Sequence, residues 1–402
     1  MDDFPPTPEA ALARLEQVNP RDYAFTRNAI DGAVTYLSPY ITHGYMSVPD
    51  IARYMYHRHR LGVQHKLVNE LGWREYFQHL HSHLGEAGMM QPIRGGVLPD
   101  DAYSRELPED VRYGSTQVPV IDQAVRALYT YGYVHNHARL WLASYLVHLR
   151  KVHWRVGADW MYSHLLDGDI ASNYLSWQWV AGTLHDKPYF FNAKSIEPFT
   201  PPEWHSRGTS IDVSEEMMDI LARNHATVSQ AQPNEYGWEE PKVSHAPPEP
   251  YQLQAPDASV VAGRMVWLVH PWQLADPPEG LPEDAVCVAA LWPESFAQHP
   301  WNMRRWQFVL ERMQAITPHV WWGSETDMQR ALSQARGVQT VAHLRVPEWA
   351  GVTWLLQPLP RLFRALDKPC GSFSKWWVEV NRGVPHLQHL IYPKASRPLW
   401  RA

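Results

Sequence analysis

Residues 153–182 read HWRVGADWMYSHLLDGDIASNYLSWQWVAG and combine four tryptophans with an Asp-Gly-Asp turn at 167–169. Asn173 lies between that turn and the pair Trp177 and Trp179. A buried tryptophan contributes much apolar surface, but its indole N–H then needs a hydrogen-bond partner. Four indoles beside two carboxylates are therefore unusual for a plain core. Because Trp177 and Trp179 are two positions apart, a helix would point them in different directions, so we interpret this stretch as the wall of a ligand site.

Three upstream segments carry a similar mixture of charged and aromatic residues: Tyr23 to Arg27 leading into TYLSP at 35–39, NELGWREY at 69–76, and HNHAR at 135–139. The second segment falls in a predicted helix over 66–83, and the third begins a predicted helix over 135–150. Glu70, Trp73 and Arg74 are spaced i, i+3 and i+4 there, so they project from one face. An acid, a large aromatic residue and a base on one helix face are unsuited to a core and favour a ligand site. The alternative interpretation is an exposed ion pair of Glu70 and Arg74 beside a half-buried Trp73.

In this order across residues 23–192, the four motifs resemble the flavin-binding part of the photolyase/cryptochrome family. The resemblance implies a mainly α-helical photolyase-type domain with FAD as its cofactor. It assigns cofactor binding to Tyr23, Thr35, Leu37, Ser38, Arg139, Asp167, Asp169 and Asn173. The first four are expected to hold the phosphates of the cofactor through hydroxyl and backbone N–H groups. By the same resemblance Arg139 pairs with Asp167, and Asn173 lies opposite the flavin N5, where a neutral amide can donate or accept a hydrogen bond. No metal site is expected.

The resemblance also assigns residues to chemistry and to DNA. The catalytic residues are Glu70, Asn136 and Asn173. The residues expected to bind DNA and the lesion are Glu70, Trp73, Arg74, Asn136, His137 and Trp179. Among them, Arg74 and His137 are expected to contact the flanking DNA phosphates. The chain departs from the family pattern at His137, where an arginine is usual, and at Leu140, where a methionine is common.

A route for electrons to the flavin is the third implication. Trp177 and Trp154 match the first two members of the family's tryptophan chain. The third position falls near Asp101, so Tyr103 or another tryptophan would complete the path.

A change of pattern divides the chain into three predicted parts. Residues 1–224 form the helical FAD-binding domain, residues 225–262 a Pro/Gln-rich extended linker, and residues 263–402 a small α/β domain in which short apolar runs alternate with helices. The last part resembles the family's antenna-type domain, with Met265–Trp272 as its first strand and Lys368–Trp377 as its closing segment. That domain ordinarily precedes the flavin domain, so the order is permuted here, and a second antenna pigment is left open.

Composition limits the classes of protein. The two cysteines among 402 residues exclude a disulfide framework and fit a reducing compartment. Neither a leader nor a long apolar run is present, so we expect a cytoplasmic protein without membrane contact. The net charge of −6 gives no general signal of nucleic-acid binding.

Two functions from different classes follow. The first is a deoxyribodipyrimidine photolyase, a lyase that splits cyclobutane pyrimidine dimers in UV-damaged DNA by electron transfer from reduced FAD under blue light. The second is a cryptochrome-like flavin photoreceptor that signals through a protein partner without DNA repair. A helical protein without any cofactor is a third interpretation, which holds only if the motifs are coincidental. The oligomeric state is left open.

Overall fold

The computed structural model describes residues 4–228, 237–251 and 253–392. The first half of the described chain is helical, and the second half holds a five-stranded parallel sheet. The predicted fold class is therefore confirmed. None of the helices in the described part combines the length and apolar composition that a membrane-spanning helix needs.

The α-helices of the first half are α1 (Pro8–Gln17), α2 (Pro20–Thr26), α3 (Ser38–Thr42), α4 (Val48–His59), α5 (Lys66–Met89), α6 (Glu109–Arg112), α7 (Pro119–Tyr131), α8 (Asn136–Ser144), α9 (Trp154–His164), α10 (Ile170–Ala181), α11 (Ala193–Ile196) and α12 (Glu215–Arg223). Local signals explain several of these bounds. Ser47 caps α4 in a capping box with Asp50. The helix predicted over 66–83 extends further, with a break at Gly85 (φ 67°). The helix predicted from 135 ends at Ser144 and continues as one π-helical turn over Tyr145–Leu149.

The strands of the second half are β1 (Val243–Ser244), β2 (Met265–Val269), β3 (Val286–Leu291), β4 (Trp301–Asn302), β5 (Val320–Trp322), β6 (Gly337–Val341) and β7 (Trp354–Gln357). The main sheet has the order β5-β3-β2-β6-β7, and all its neighbours are parallel. Its helices are α13 (Ala258–Val261), α14 (Met303–Ile316) and α15 (Glu325–Leu332). The central strands are apolar throughout because helices or the first half of the chain cover both faces of the sheet.

The polar stretch 225–262 lies against the rest of the protein where it is described; residues 229–236 and 252 are outside the described residues. The carboxylate of Glu240 lies 3.0 Å from His164 Nε2. The guanidinium of Arg126 stacks 4.8 Å from the ring of Trp238. β1 pairs antiparallel with β4. This part of the stretch is therefore anchored along its length.

Residues 361–392, which we call the C-terminal clasp, leave the sheet and return to helix α5. They contain α16 (Phe373–Val380) and α17 (Gln388–Ile391). The carboxylate of Glu75 on α5 accepts the backbone N–H groups of Leu362 (2.6 Å) and Phe363 (3.0 Å). The segment Lys368–Trp377, which was predicted to close the α/β domain, packs in the apolar core around α5. The boundaries at 224 and 262 stay a prediction.

Candidate functional site

A cavity of about 430 Å³ opens among α2, α3, α5, α8 and α10, and we call it the central cavity. Its wall includes most of the residues that the resemblance assigned to cofactor and lesion. They are Tyr23, Thr35, Leu37, Ser38, Glu70, Trp73, Arg74, Asn136, His137, Arg139, Asp167 and Trp179. Segments far apart in the sequence therefore meet around one space.

A smaller cavity of about 80 Å³, the inner chamber, adjoins the central cavity and shares Arg139 and Asp167 with it. Asp169, Asn173 and Trp177 line the inner chamber but not the central cavity. The acids, the amide and one indole of the stretch that opened the sequence analysis thus face a common space, while Trp179 faces the neighbouring one.

Asp167 is the hub of the site. Arg139 Nη2 donates to both oxygens of its carboxylate, at 2.8 and 3.0 Å, and Ser38 Oγ donates to Oδ2 at 2.5 Å. The hydroxyl of Thr42 also donates to the backbone carbonyl of Asp167, at 3.2 Å. The ion pair predicted between Arg139 and Asp167 is present, and it ties α3 and α8 to the turn before α10.

Asp169 has a different task from Asp167. Its side chain caps α10 by accepting the N–H of Ser172 at 2.8 Å, and it accepts a second hydrogen bond from Gln78 Nε2 at 2.8 Å. Burial raises the pKa of Asp169, but the nearby Arg74 charge and the Ser172 hydrogen bonds outweigh burial and lower it overall. Asp169 therefore stays ionised. Within the described residues, the ion pair of Arg139 is with Asp167 and not with Asp169.

The loop predicted to hold phosphates is internally bonded. Ser38 gives its hydroxyl proton to Asp167, and the N–H of Leu37 donates to Thr35 Oγ1 at 3.3 Å. Burial raises the pKa of the Tyr23 phenol, which therefore stays protonated and able to donate. Arg27 also lines the central cavity and adds a positive charge to this end. Hydroxyl donors and arginines in a cavity of this size fit a phosphate-bearing cofactor such as FAD.

Helix α5 presents an acid and an indole to the central cavity. Glu70 Oε1 lies 3.3 Å from Arg27 Nε, and burial raises the pKa of this carboxyl. The indole of Trp73 stacks on the ring of Phe373 from the clasp, with ring centres 4.0 Å apart and planes within 9°. One face of the indole is thus already covered, and only the rest of the ring is available to a ligand.

Two side chains predicted to contact DNA phosphates face inward. Arg74 Nη2 donates to Thr42 Oγ1 at 3.1 Å and lies in the field of Asp169. His137 packs between the rings of Trp141 and Phe199, and burial lowers its pKa, so it is neutral at pH 7. This geometry does not support the flanking-phosphate role for either residue.

The inner chamber holds its amide in one orientation. Asn173 Nδ2 donates one N–H to the carbonyl of Ala158 at 2.9 Å, which leaves its second N–H and Oδ1 for a ligand. Trp177 packs on Gly157, where an added Cβ would lie 2.3 Å from the indole. The glycine is therefore required for the indole to reach this position.

The residues of the proposed electron route are divided between two places. Trp177 lines the inner chamber, whereas Trp154 and Tyr103 line a separate cavity of about 360 Å³. The ring centre of His153 lies 5.6 Å from that of Trp154 and 6.4 Å from that of Tyr103, so His153 contacts both.

Phe373 and Arg305 are site residues that sequence reasoning missed. Both come from the second half of the chain, and neither belongs to a motif of the first half. The only sequence signals near them are the aromatic run Phe373–Trp377 and the two consecutive arginines at 304–305. Neither signal tells which helix of the first half receives the side chain.

A helical cavity with a central Asp–Arg pair, hydroxyl donors and two indoles in its wall suits an aromatic nucleotide cofactor. Residues 67–207 match the family described as the FAD binding domain of DNA photolyase. This part of the chain is similar to that domain, and FAD is the cofactor that the match indicates.

The similar proteins are named either as photolyases or as cryptochromes. The chain is 34% identical over 154 residues to the deoxyribodipyrimidine photo-lyase of Buchnera aphidicola. This alignment covers 34% of this chain and 32% of that protein. It is 31% identical over 211 residues to the cryptochrome DASH of Synechocystis, covering 48% and 42%. A class III photolyase structure from Agrobacterium tumefaciens aligns at 28% identity and a TM-score of 0.43, covering 48% of this chain and 42% of that one. The chain spans about a third to two fifths of the length of the first curated relatives that it matches, 32–42%.

Proposed function

We propose that this protein is a cytoplasmic, light-driven DNA photolyase that splits cyclobutane pyrimidine dimers in UV-damaged DNA. The observation that carries the proposal is the shared wall of the central cavity: Glu70, Trp73, Asn136 and Trp179 face the same space as the Arg139–Asp167 pair. Reduced FAD, when bound and excited by blue light, would supply one electron to the lesion and take it back after the dimer splits. In this proposal the helical residues 1–224 supply the cavity, and residues 263–402 support it.

The lesion would enter the central cavity as a flipped dinucleotide. Flipping is cheapest for a damaged base, because its stacking in the duplex is already weakened. Trp179 and the free part of Trp73 would stack on the flipped bases, each contributing roughly 1–3 kcal/mol. Glu70 and Asn136 would hydrogen-bond to the polar edges of those bases.

Replacing Trp73 by alanine is expected to weaken binding of a dimer-containing oligonucleotide about tenfold or more, because a stacking surface is lost. The FAD content should stay near that of the unchanged protein, since Asp167 and Arg139 are intact. Fluorescence anisotropy of a labelled oligonucleotide and the flavin absorbance of the purified protein measure the two quantities. Trp354→Ala, at a partly exposed tryptophan of the sheet, is the matched control and should bind the lesion normally. Loss of flavin from Trp73→Ala would mean that this helix face holds the cofactor instead.

Asn173→Asp is expected to lower the midpoint potential of bound FAD. The substitution replaces the neutral amide of the inner chamber with a carboxylate, and this added negative charge disfavours the negatively charged reduced cofactor. The potential is measured by spectroelectrochemical titration at pH 8, with Asn173→Ser as a neutral control. An Asp variant with the potential of the unchanged protein would contradict the placement of Asn173 at the reactive part of the flavin.

For reduction of the cofactor we propose a path from Trp177 through Trp154 to Tyr103. The contacts of His153 with both Trp154 and Tyr103 support this order. Repair from already reduced FAD would not depend on this path.

The alternative function is that of a cryptochrome-like photoreceptor with a protein partner. One observation favours it: Phe373 covers a face of Trp73, and less of that indole is available for a base. The inward positions of Arg74 and His137 agree with weak DNA contact.

A repair assay decides between the two functions. Reduced, FAD-loaded protein is illuminated with blue light in the presence of an oligonucleotide that contains one thymine dimer, and a dark sample is the control. A photolyase restores the undamaged oligonucleotide in the light alone. A flavin-loaded protein that leaves the dimer intact in the light would contradict the repair proposal and favour the photoreceptor.

A further inference from the structure

Arg305 on α14 is a buried cation that reaches the cofactor site from the second half of the chain. Its side chain is fully buried. Nη2 donates to the carbonyl of Gly168, the middle residue of the Asp-Gly-Asp turn, at 2.5 Å. The guanidinium lies over the rings of Trp301, at 4.2 Å, and Tyr162, at 4.9 Å.

The turn and Arg305 are fitted to each other. A Cβ at position 168 would lie 2.4 Å from Arg305 Nη1, so only glycine leaves room for the guanidinium. The residues on either side of that glycine, Asp167 and Asp169, both line the inner chamber. Arg305 therefore packs against the turn whose two acids face the chamber.

Within the described residues, Arg305 has no carboxylate of its own, and its Nε and Nη1 have no hydrogen-bond partner. The phenol of Tyr162 and the carboxylate of Asp167 attract the guanidinium, but that carboxylate already pairs with Arg139 and accepts from Ser38. Burial and the neighbouring charge of Arg345 lower the pKa of Arg305.

A neutral side chain could fill the same space at less cost. An uncompensated buried ion costs several kcal/mol, and replacing such a charge by a well-packed apolar residue is often neutral or stabilising. Anchoring the turn needs one donor to the Gly168 carbonyl, which a glutamine could also supply. The feature that only a cation provides is a positive potential at the turn.

We propose that Arg305 is a positioning residue whose positive charge behind the Asp-Gly-Asp turn favours the negatively charged, reduced form of the cofactor in the cavity. The arrangement makes the α/β half part of the electrostatics of the flavin site. The inference rests on FAD binding and not on DNA repair, so it stands or falls separately from the proposed lyase activity.

The test compares the midpoint potential of bound FAD in four variants. Arg305→Gln keeps a donor for the Gly168 carbonyl and removes the charge, Arg305→Met removes both, and Arg305→Lys keeps the charge. Arg312→Met is the matched control, because Arg312 is a buried arginine of the same helix that pairs with Asp276 instead of the turn.

The Gln and Met variants are expected to lower the ratio of reduced to oxidised FAD at a fixed potential about tenfold, which is about 30 mV for a two-electron couple. The Lys variant should recover most of that shift, and the Arg312→Met potential should not change. Equal potentials in the Gln variant and the unchanged protein would overturn the proposal, as would a Lys variant that shifts as far as the Gln variant. If the Met variant does not fold, the comparison of Gln with Lys still decides.

Discussion

Asp167→Asn is expected to strip the protein of FAD. The substitution keeps the shape of the side chain but removes the charge that Arg139 and Ser38 share. Removing one partner of a buried ion pair typically costs 3–5 kcal/mol, because the other charge is left unpaired. Since the Arg139 side chain is 22% exposed, we expect a smaller loss, about 2–3 kcal/mol of the free energy of FAD binding. This is a loss of FAD affinity well above tenfold. Titration of the FAD-free protein with FAD, followed by fluorescence quenching, measures the change.

A second Asp–Arg pair supplies the control for that experiment. Asp110 and Arg150 form a buried bidentate pair, at 2.8 and 3.0 Å, and neither residue lines the central cavity or the inner chamber. Asp110→Asn should lower the free energy of unfolding by a similar amount while the folded protein keeps its affinity for FAD. If both variants lose FAD in proportion to their loss of stability, Asp167 acts through folding alone and its role at the cofactor site is refuted.

Acidification is expected to unfold the protein between pH 6.5 and 4. Burial lowers the pKa of four enclosed histidines, to about 3 for His43 and about 4 for His135, His148 and His270. The unfolded chain binds these protons near pH 6.5 and the folded chain does not, so stability is full above pH 6.5 and falls as the pH drops through this window. At pH 5 each of these histidines lowers the free energy of unfolding by roughly 2 kcal/mol. The sum over four of them is comparable to the whole free energy of unfolding of a typical domain, about 5–15 kcal/mol.

One carboxyl opposes this trend. Burial raises the pKa of Glu75 to about 7, so the folded state binds its proton more readily than the unfolded state and gains stability as the pH falls through 7. A single acid does not offset four histidines. Urea unfolding at pH 7.5, 6.5, 5.5 and 5.0 gives the slope of stability against pH. This slope is proportional to the number of protons that unfolding takes up. In His148→Gln that number should be smaller by about one than in the unchanged protein. A stability that stays level from pH 7.5 to 5.0 would show that these histidines are not held neutral in the folded protein.

The motifs of the first half could be predicted because the information for them is local. Ser47 and Asp50 form their capping box within one helical turn. Trp177 and Trp179 face different spaces because helix geometry directs residues two positions apart to different sides. Spacing alone also placed Glu70 and Trp73 on a single face of α5, and both line the central cavity.

The partners of those residues could not be predicted in the same way. The resemblance supplied a role for Arg74 as a phosphate contact, but the structure turns it toward Thr42, because Asp169 offers a buried negative charge nearby. Ser38 was expected to hold a phosphate, and its hydroxyl donates to Asp167 instead. A motif specifies which side chains are present, whereas the nearest counter-charge decides where each one points.

By itself the sequence determined the helices, the parallel strands and the set of side chains around the cavity, since periodicity, caps and motif spacing act within a few residues. Only the tertiary structure decided that the C-terminal clasp stacks Phe373 on Trp73 and that Arg305 reaches Gly168, 137 positions away. Contacts over such separations leave no periodic trace in the chain. They form only when the two halves pack together, because packing brings Phe373 onto Trp73 and places the Arg305 guanidinium at the Gly168 carbonyl.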